Sequence, residues 1–407
     1  MNKERIITFL DRAALLFFAL LIFFIPISNA AIESLFGFIF LCLILKVTIR
    51  RPALKDFKTF FTGQINLYVL IFYISIGLSL FISGPLLPKS FKTWLCHWGE
   101  GVALFYCARV FLKKRHIKVL LITFLVSTVL VGIDGIYQKI NGVDFIRGFE
   151  VIKRPGFTAI GASLKNYNDF ASFLTVSFFI NCGFIIFFKK AWQKTPFFLL
   201  AILILSNLYL TFSRGAWLSF IVVCLLMFAV LSDRKNKNIF IIFLLVFIFG
   251  IFSFPTLTER FLLIVKSGGD ADRLRLWKAA LLMFKDSPFL GKGLGTFMHY
   301  ITEYEKGMLP QYTHNCYLQI LAETGLAGFA CFLLFLGKII LTGYRQLIKE
   351  RNSVYSGLFA ALLVFLIHSF FDTQLFSLKL SILFWILLSF VTVFCQEKDL
   401  QGGLHAT

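Results

Sequence analysis

No Cys-x-x-Cys pair occurs among the eight cysteines of this 407-residue chain. The cysteines lie mostly in or at the ends of apolar runs, where a thiol behaves as a small hydrophobe. That pattern excludes a cysteine metal centre and a framework of structural disulfides. No internal repeat is visible, inverted or parallel, which weakens the case for a duplicated secondary transporter. Charge is scarce, at 15% of residues, and few charged side chains fall deep inside the apolar runs. A pore that selects anions by rings of charge lacks its main feature. No Ala-x-Ala site follows the first apolar run and a second run comes almost at once, so the first run is read as a span and not as a removed leader.

What the chain has in excess is apolar surface. It is 58% hydrophobic and carries 53 phenylalanines, more than a soluble domain needs. About twelve apolar runs alternate with short loops. A bilayer core of about 30 Å takes about 20 apolar residues per helix, and backbone groups in lipid must bond within the segment, so the runs are expected to be helices. The expected fold is an all-α integral membrane protein of about twelve transmembrane helices, with residues 1–407 as a single polytopic domain. One long polar segment, residues 255–313, interrupts the pattern and is expected to be an external loop containing short helices.

The net charge of +20 does not point to nucleic acid. Lys and Arg sit mainly at the ends of the runs, in every second loop, and both termini fall on that same side. The positive-inside rule then places both termini in the cytoplasm and the long loop outside.

Several residues stand out against the apolar background. Arg214 lies in the four-residue break Phe212-Ser213-Arg214-Gly215 between two apolar runs, on the external side. An arginine at such a boundary is costly and faces a cavity or partner, or snorkels to headgroups; a fixed guanidinium there suits a phosphate oxygen. In the long loop, residues 272–284 have the periodicity of an amphipathic helix, with Leu274, Trp277, Leu281 and Phe284 near one face and Arg273 and Arg275 at its start. Gly291-Lys292-Gly293-Leu294-Gly295 follows. It follows no strand, so it is no dinucleotide site, and a structural turn is favoured over a phosphate cradle. His314-Asn315 opens the tenth run, and a neutral histidine there can act as general base; the bland alternative is a boundary histidine bound to water. Glu323 is too far along the helix to pair with His314 and is expected to cap or brace another helix. His368 and Asp372, near the external end of the eleventh run, are read as supporting residues at most.

Together these segments resemble the O-antigen ligase and polymerase superfamily of bacterial envelope glycan enzymes. The match rests on Thr211-Phe212-Ser213-Arg214-Gly215-Ala216, on Arg273 to Trp277 continuing through Asp286 to Gly295, and on His314-Asn315-Cys316-Tyr317-Leu318-Gln319 with Glu323, Gly325 and Gly328. Arg154-Pro155-Gly156-Phe157 with Asn166 and Asn168 adds a weaker fourth segment. The resemblance covers roughly residues 154–328. It implies a glycan donor on undecaprenyl diphosphate and transfer to a sugar hydroxyl, on a lipid A-core acceptor for a ligase. It implies an inner-membrane enzyme with an external active site, inverting, without cofactor, metal or nucleotide sugar. By the same resemblance Arg214 and Arg273 bind the donor diphosphate and His314 is catalytic; Arg154, Arg275 and Glu323 are secondary candidates. A polymerase of lipid-linked chains, a protein glycosylase, an anion transporter and an inactive scaffold remain the alternatives. The tail, residues 396–407, is too short for a soluble domain, which disfavours the enlarged protein-glycosylating relatives.

Overall fold

In the computed structural model, residues 3–51, 64–154, 156–231, 234–266 and 271–395 are described; Pro155, residues 267–270 of the long loop and the 396–407 tail lie outside them. Helices dominate. In chain order they are α1 (Lys3–Phe24), α2 (Asn29–Arg50), α3 (Gln64–Leu78), α4 (Leu87–Lys92), α5 (Gly99–Phe111), α6 (Lys114–Asn141), α7 (Tyr167–Phe187), α8 (Ala191–Leu210), α9 (Arg214–Val230), α10 (Arg234–Phe252), α11 (Pro255–Lys266), α12 (Ala271–Asp286), α13 (Phe297–Tyr304), α14 (Cys316–Glu350), α15 (Ser353–His368) and α16 (Leu378–Phe394). A small antiparallel hairpin, β1 (Ile152–Arg154) and β2 (Phe157–Ala159), sits between α6 and α7.

The chain is an all-α, multi-pass membrane protein by the length and apolarity of its helices, and its apolar runs differ in how much continuous helix they carry. Among the described residues, seven helices are long and apolar enough to cross a bilayer, or up to eight if the bent pair Lys237–Phe252 and Pro255–Leu262 is one span. α9, α15 and α16 are apolar but shorter. The fourth run, expected over residues 94–111, is broken: Thr93–Trp98 is π-helical and only Gly99–Phe111 continues as α-helix. At 1.5 Å per residue the 13 residues of α5 reach roughly 20 Å. Apolar composition was readable; uninterrupted helical length was not.

α7 is the centre of the bundle, 89% buried over its apolar window, whereas α1 and α2 are 28% and 22% buried and present their apolar flanks outward. Small residues set the closest contact. A Cβ on Gly357 of α15 would stand 2.6 Å from the Phe179 carbonyl oxygen of α7, and one on Gly183 would stand 2.9 Å from that of Ser353. Helices in lipid have no hydrophobic drive toward one another, so such close backbone approach supplies the packing. Asn166, Asn315 and Asn352 cap α7, α14 and α15 through their side-chain oxygens.

The segment 255–313 holds α11, whose Leu257 and Phe261 pack on the main core, and α12 and α13 around a small core of their own. Leu276, Ala279, Ala280 and Met283 of α12 pack there with Phe297, Ile301, Met308 and Ala322. The buried stripe differs from the expected one: Leu274 and Leu281 are exposed. The two alanines let α12 lie close against the first turns of α14, which rotates the larger leucines outward.

Candidate active site

His314 is held in place from both sides. On its C-terminal side, Asn315 Oδ1 accepts the backbone N–H groups of Tyr317 and Leu318, each at 3.0 Å, and so starts α14 one residue after the histidine. On the other side, Thr313 Oγ1 donates to the Asn315 carbonyl at 2.6 Å, and Trp277 Nε1 of α12 donates to the Thr313 carbonyl at 3.1 Å. His314 itself has φ +51°, a left-handed backbone that residues with a Cβ rarely adopt. The surrounding bonds over-determine it, as expected at a site where geometry matters.

The imidazole Nδ1 lies 2.9 Å from Asp372 Oδ1. Asp372 follows the end of α15, with its backbone N–H on the His368 carbonyl, and the adjoining Cys316 N–H donates to the Ser369 carbonyl at 2.9 Å. This ties the start of α14 to the end of α15. Asp372 is buried while His314 is about one-third exposed. Burial alone would raise the Asp372 pKa. The hydrogen bond from His314 and the positive charges of His314, Arg273 and His368 outweigh it, and hold the carboxyl at about 2. Asp372 is therefore a carboxylate and can only accept, so Nδ1 carries the proton. In the neutral form of the ring, Nε2 is then the nitrogen that carries the lone pair.

Two further elements bring positive charge to this point. Arg273, in the first turn of α12, is close enough for its charge to act on both Asp372 and His368. Arg214 is the first residue of α9, and the next residue, Gly215, abuts the end of α15: a Cβ there would stand 2.6 Å from Phe371 Cβ and 3.3 Å from His368 Cδ2. Only glycine lets the N-terminus of α9 come this near. That N-terminus adds the partial positive charge of its own peptide dipoles. The approach is fixed by Ser213, whose hydroxyl donates to Asn168 Oδ1 at 2.8 Å, and by Phe212, which has φ +53° and packs at a tilt on Phe157 of β2 with centroids 4.9 Å apart. Arg260 of α11 lies 4.4 Å over the Phe157 ring and its Nε donates to the Phe212 carbonyl at 3.4 Å.

The other candidates serve elsewhere. Glu323 is fully used as a brace: its carboxylate accepts from Gly295 N at 2.8 Å, Phe297 N at 3.2 Å and Gln319 Nε2 at 3.1 Å. The glycine run wraps the same place. Lys292 and Gly293 donate to the carbonyls of Ala322 and Glu323, and Leu326 and Ala327 donate to those of Pro288 and Phe289, across a break in α14 at Gly325 (φ +62°). Gly291, Gly293 and Gly295 all have positive φ, and a Cβ on Gly291 would meet the Glu323 carbonyl carbon at 2.4 Å. The run is a structural clasp whose N–H groups point into the protein. Arg275 faces away from His314 chemistry and pairs with Glu305 at 2.9 Å. Arg154 is exposed at the hairpin end and reaches the Arg214 segment only through its cross-strand neighbour Phe157.

Two contributors were underrated or unseen in the sequence. Asp372 was read as a supporting residue at most, and its role as the direct partner of His314, 58 positions away, follows from the packing of α14 on α15. Arg260 carries no local signal beyond a basic residue in an amphipathic stretch.

Comparison with known families bears on this cluster. Residues 199–333 match the family described as O-antigen ligase. The match supports the O-antigen ligase superfamily. It runs from α8 into α14 and so takes in Arg214, Arg273, Glu323 and His314, while Arg154 and Asp372 fall outside it. Ligase- or polymerase-type glycan transfer is the broad function that goes with it. A search of curated proteins finds no match. Among the described residues, no three His, Cys, Asp or Glu side chains are grouped so as to hold a metal ion.

Proposed function

We propose that the chain transfers a glycan from undecaprenyl diphosphate to a sugar hydroxyl, as an O-antigen ligase acting on a lipid A-core acceptor, at the outer face of the inner membrane. The observation that carries the reading is the His314–Asp372 pair at 2.9 Å, set beside the charge of Arg273 and the Arg214 start of α9. In this reading His314 Nε2 takes the proton from the acceptor hydroxyl. The oxygen forms a bond to the anomeric carbon, and the bond from that carbon to the diphosphate oxygen breaks with its electron pair going to the diphosphate. A single displacement inverts the anomeric configuration. Asp372 keeps the imidazole in the tautomer that accepts at Nε2, and stabilises the imidazolium that forms.

Arg214 and Arg273 would hold the departing diphosphate, whose charge grows as the bond breaks. Preoriented guanidinium groups in a site shielded from water are suited to that charge. A diphosphate needs little protonation to leave, so a second carboxylic acid of the glycosidase kind is not required. We take residues 1–407 as one polytopic domain, its termini cytoplasmic and the 255–313 segment external, because the basic loops alternate in that sense. A polymerase would use the same cluster with a second lipid-linked chain as acceptor.

Full-length protein reconstituted with lipid-linked glycan and candidate acceptors tests the proposal. A single transfer to core is expected, and a ladder of lengthening chains would make it a polymerase instead. Arg214→Ala and Arg273→Ala are each expected to abolish transfer while the protein still inserts. Normal transfer by both would end the diphosphate-binding assignment.

A further inference from the structure

At the end of the bundle away from His314, the start of α1, the end of α2 and the junction of α5 with α6 enclose a cavity of about 320 Å³. The separation follows from the chain path. α1 leaves the cavity and ends near Pro26, whose carbonyl accepts from Lys379 Nζ of α16 at 2.9 Å, on the side where Asp372 precedes α16. The volume falls at the small end of the range of about 300–1,000 Å³ typical of small-molecule sites.

The lining is cationic. Arg12, Lys46, Arg50, Lys113 and Arg115 face it, and Asp11 is its one carboxylate. Lys46 is 6% exposed, lies 2.6 Å from Asp11 and 4.9 Å over the ring of Phe111, so that the one acid is matched by one buried base. Arg12, Arg50, Lys113 and Arg115 are then in excess around the opening. Four cations that converge with no counter-charge beyond Asp11 among the described residues of the lining repel one another unless an anion joins them, and guanidinium groups match phosphate oxygens in pairs.

Position selects among anions. Within a turn or two of Arg12 and Arg50, Phe9, Leu16, Ile44 and Leu45 are exposed on the outward flanks of α1 and α2. A basic pocket between helix ends, bordered by exposed apolar flanks, combines the two features that a phospholipid presents, a phosphate and acyl chains. We propose that this cavity binds a phosphate-bearing anion, and that the phosphate belongs to the headgroup of an anionic lipid whose chains run along α1 and α2.

Thermal unfolding of the full-length protein in detergent, titrated separately with phosphatidylglycerol, phosphatidylcholine and inorganic phosphate, tests this. Ligand that binds only the folded state raises the midpoint by mass action. Phosphatidylglycerol is expected to raise it and phosphatidylcholine to leave it unchanged. The double variant Arg12→Gln, Arg50→Gln should need at least about tenfold more phosphatidylglycerol for the same rise, from the loss of charged hydrogen bonds. Lys113→Gln with Arg115→Gln should behave alike and serves if the first pair misfolds, and the exposed Lys190→Gln on the same end should respond as the parent. An equal rise with inorganic phosphate at matching concentration would overturn the lipid assignment in favour of a soluble phosphate. No rise with either anion, or the same rise in parent and both double variants, would overturn the site.

Discussion

Replacing Asp372 by Asn removes the negative charge from His314 while keeping nearly the same shape. The structure sets the size of the effect. Asp372 is buried, and its Oδ1 accepts a charge-assisted bond from His314 Nδ1 at 2.9 Å. Such a bond is worth about 1.5–3 kcal/mol, and about 1.4 kcal/mol corresponds to a tenfold rate change. Losing it only when the imidazolium forms should lower kcat about 10- to 150-fold. A neutral amide can also present N–H to Nδ1, which would place the imidazole proton on Nε2 and deepen the loss. KM for the lipid-linked donor should stay within about threefold, because Asp372 supports the base and not donor binding. The assay is initial-rate transfer by full-length protein in proteoliposomes, with product resolved on gels. His314→Gln is the parallel variant and should abolish turnover; His314→Ala is less useful, because it strands a buried carboxylate at a cost of about 3–5 kcal/mol. If Asp372→Asn turns over at the parental rate while His314→Gln is inactive, the reasoning that the carboxylate sets up the imidazole is wrong.

The Asp372 carboxyl also couples stability to pH. Its pKa is held at about 2 against an ordinary 3.8, so its contribution is full above about pH 4 and is lost as pH falls toward 2. That contribution is on the order of 2 kcal/mol, and the gap in unfolding midpoint between parent and Asp372→Asn should narrow over that window; a constant gap would contradict it. Glu323→Ala strands three donors, each costing about 1–3 kcal/mol when buried, and should lower the thermal midpoint sharply, with Glu323→Gln much milder; an unchanged midpoint with lost turnover would make Glu323 a reacting group. Arg275→Ala removes an exposed pair with Glu305 and should cost at most about 1 kcal/mol and less than about fivefold in turnover, in contrast to Arg273→Ala. A chelator should leave transfer intact in the proteoliposome assay, and strict dependence on added divalent metal would contradict an arginine-based mechanism.

Membrane-helix character and the three motif segments were legible in the sequence because they are local. Apolar runs, a stranded Arg214 and a His-Asn pair at a run start are all visible one window at a time. The amphipathic stretch over residues 272–284 is α12 in the structure, yet its buried face was misassigned, since which stripe faces inward depends on the small Ala279 and Ala280 meeting α14. The glycine run was favoured as a structural turn, and the N–H groups of Lys292, Gly293 and Gly295 bond to Ala322 and Glu323 of α14. What the chain could not disclose locally is pairing at a distance. His314 and Asp372 meet because Cys316 and Ser369 bond backbone to backbone, and the start of α9, which carries Arg214, comes up to the end of α15 because Gly215 has no Cβ. The break in the fourth run was hidden for a related reason: the π-helical turn at Thr93–Trp98 cannot be read from hydropathy.

The break at Gly325 has a mechanical consequence. Both sides of it are strapped to one outer segment: the carbonyls of Ala322 and Glu323 accept from Lys292 and Gly293, and the N–H groups of Leu326 and Ala327 donate to Pro288 and Phe289. The start of α14 and that outer segment are therefore expected to shift as one body when the bilayer thins or thickens, carrying the imidazole with them. Spin-label distances between positions 298 and 318 should stay constant across lipids of different chain length; a change with chain length would show that the strap yields.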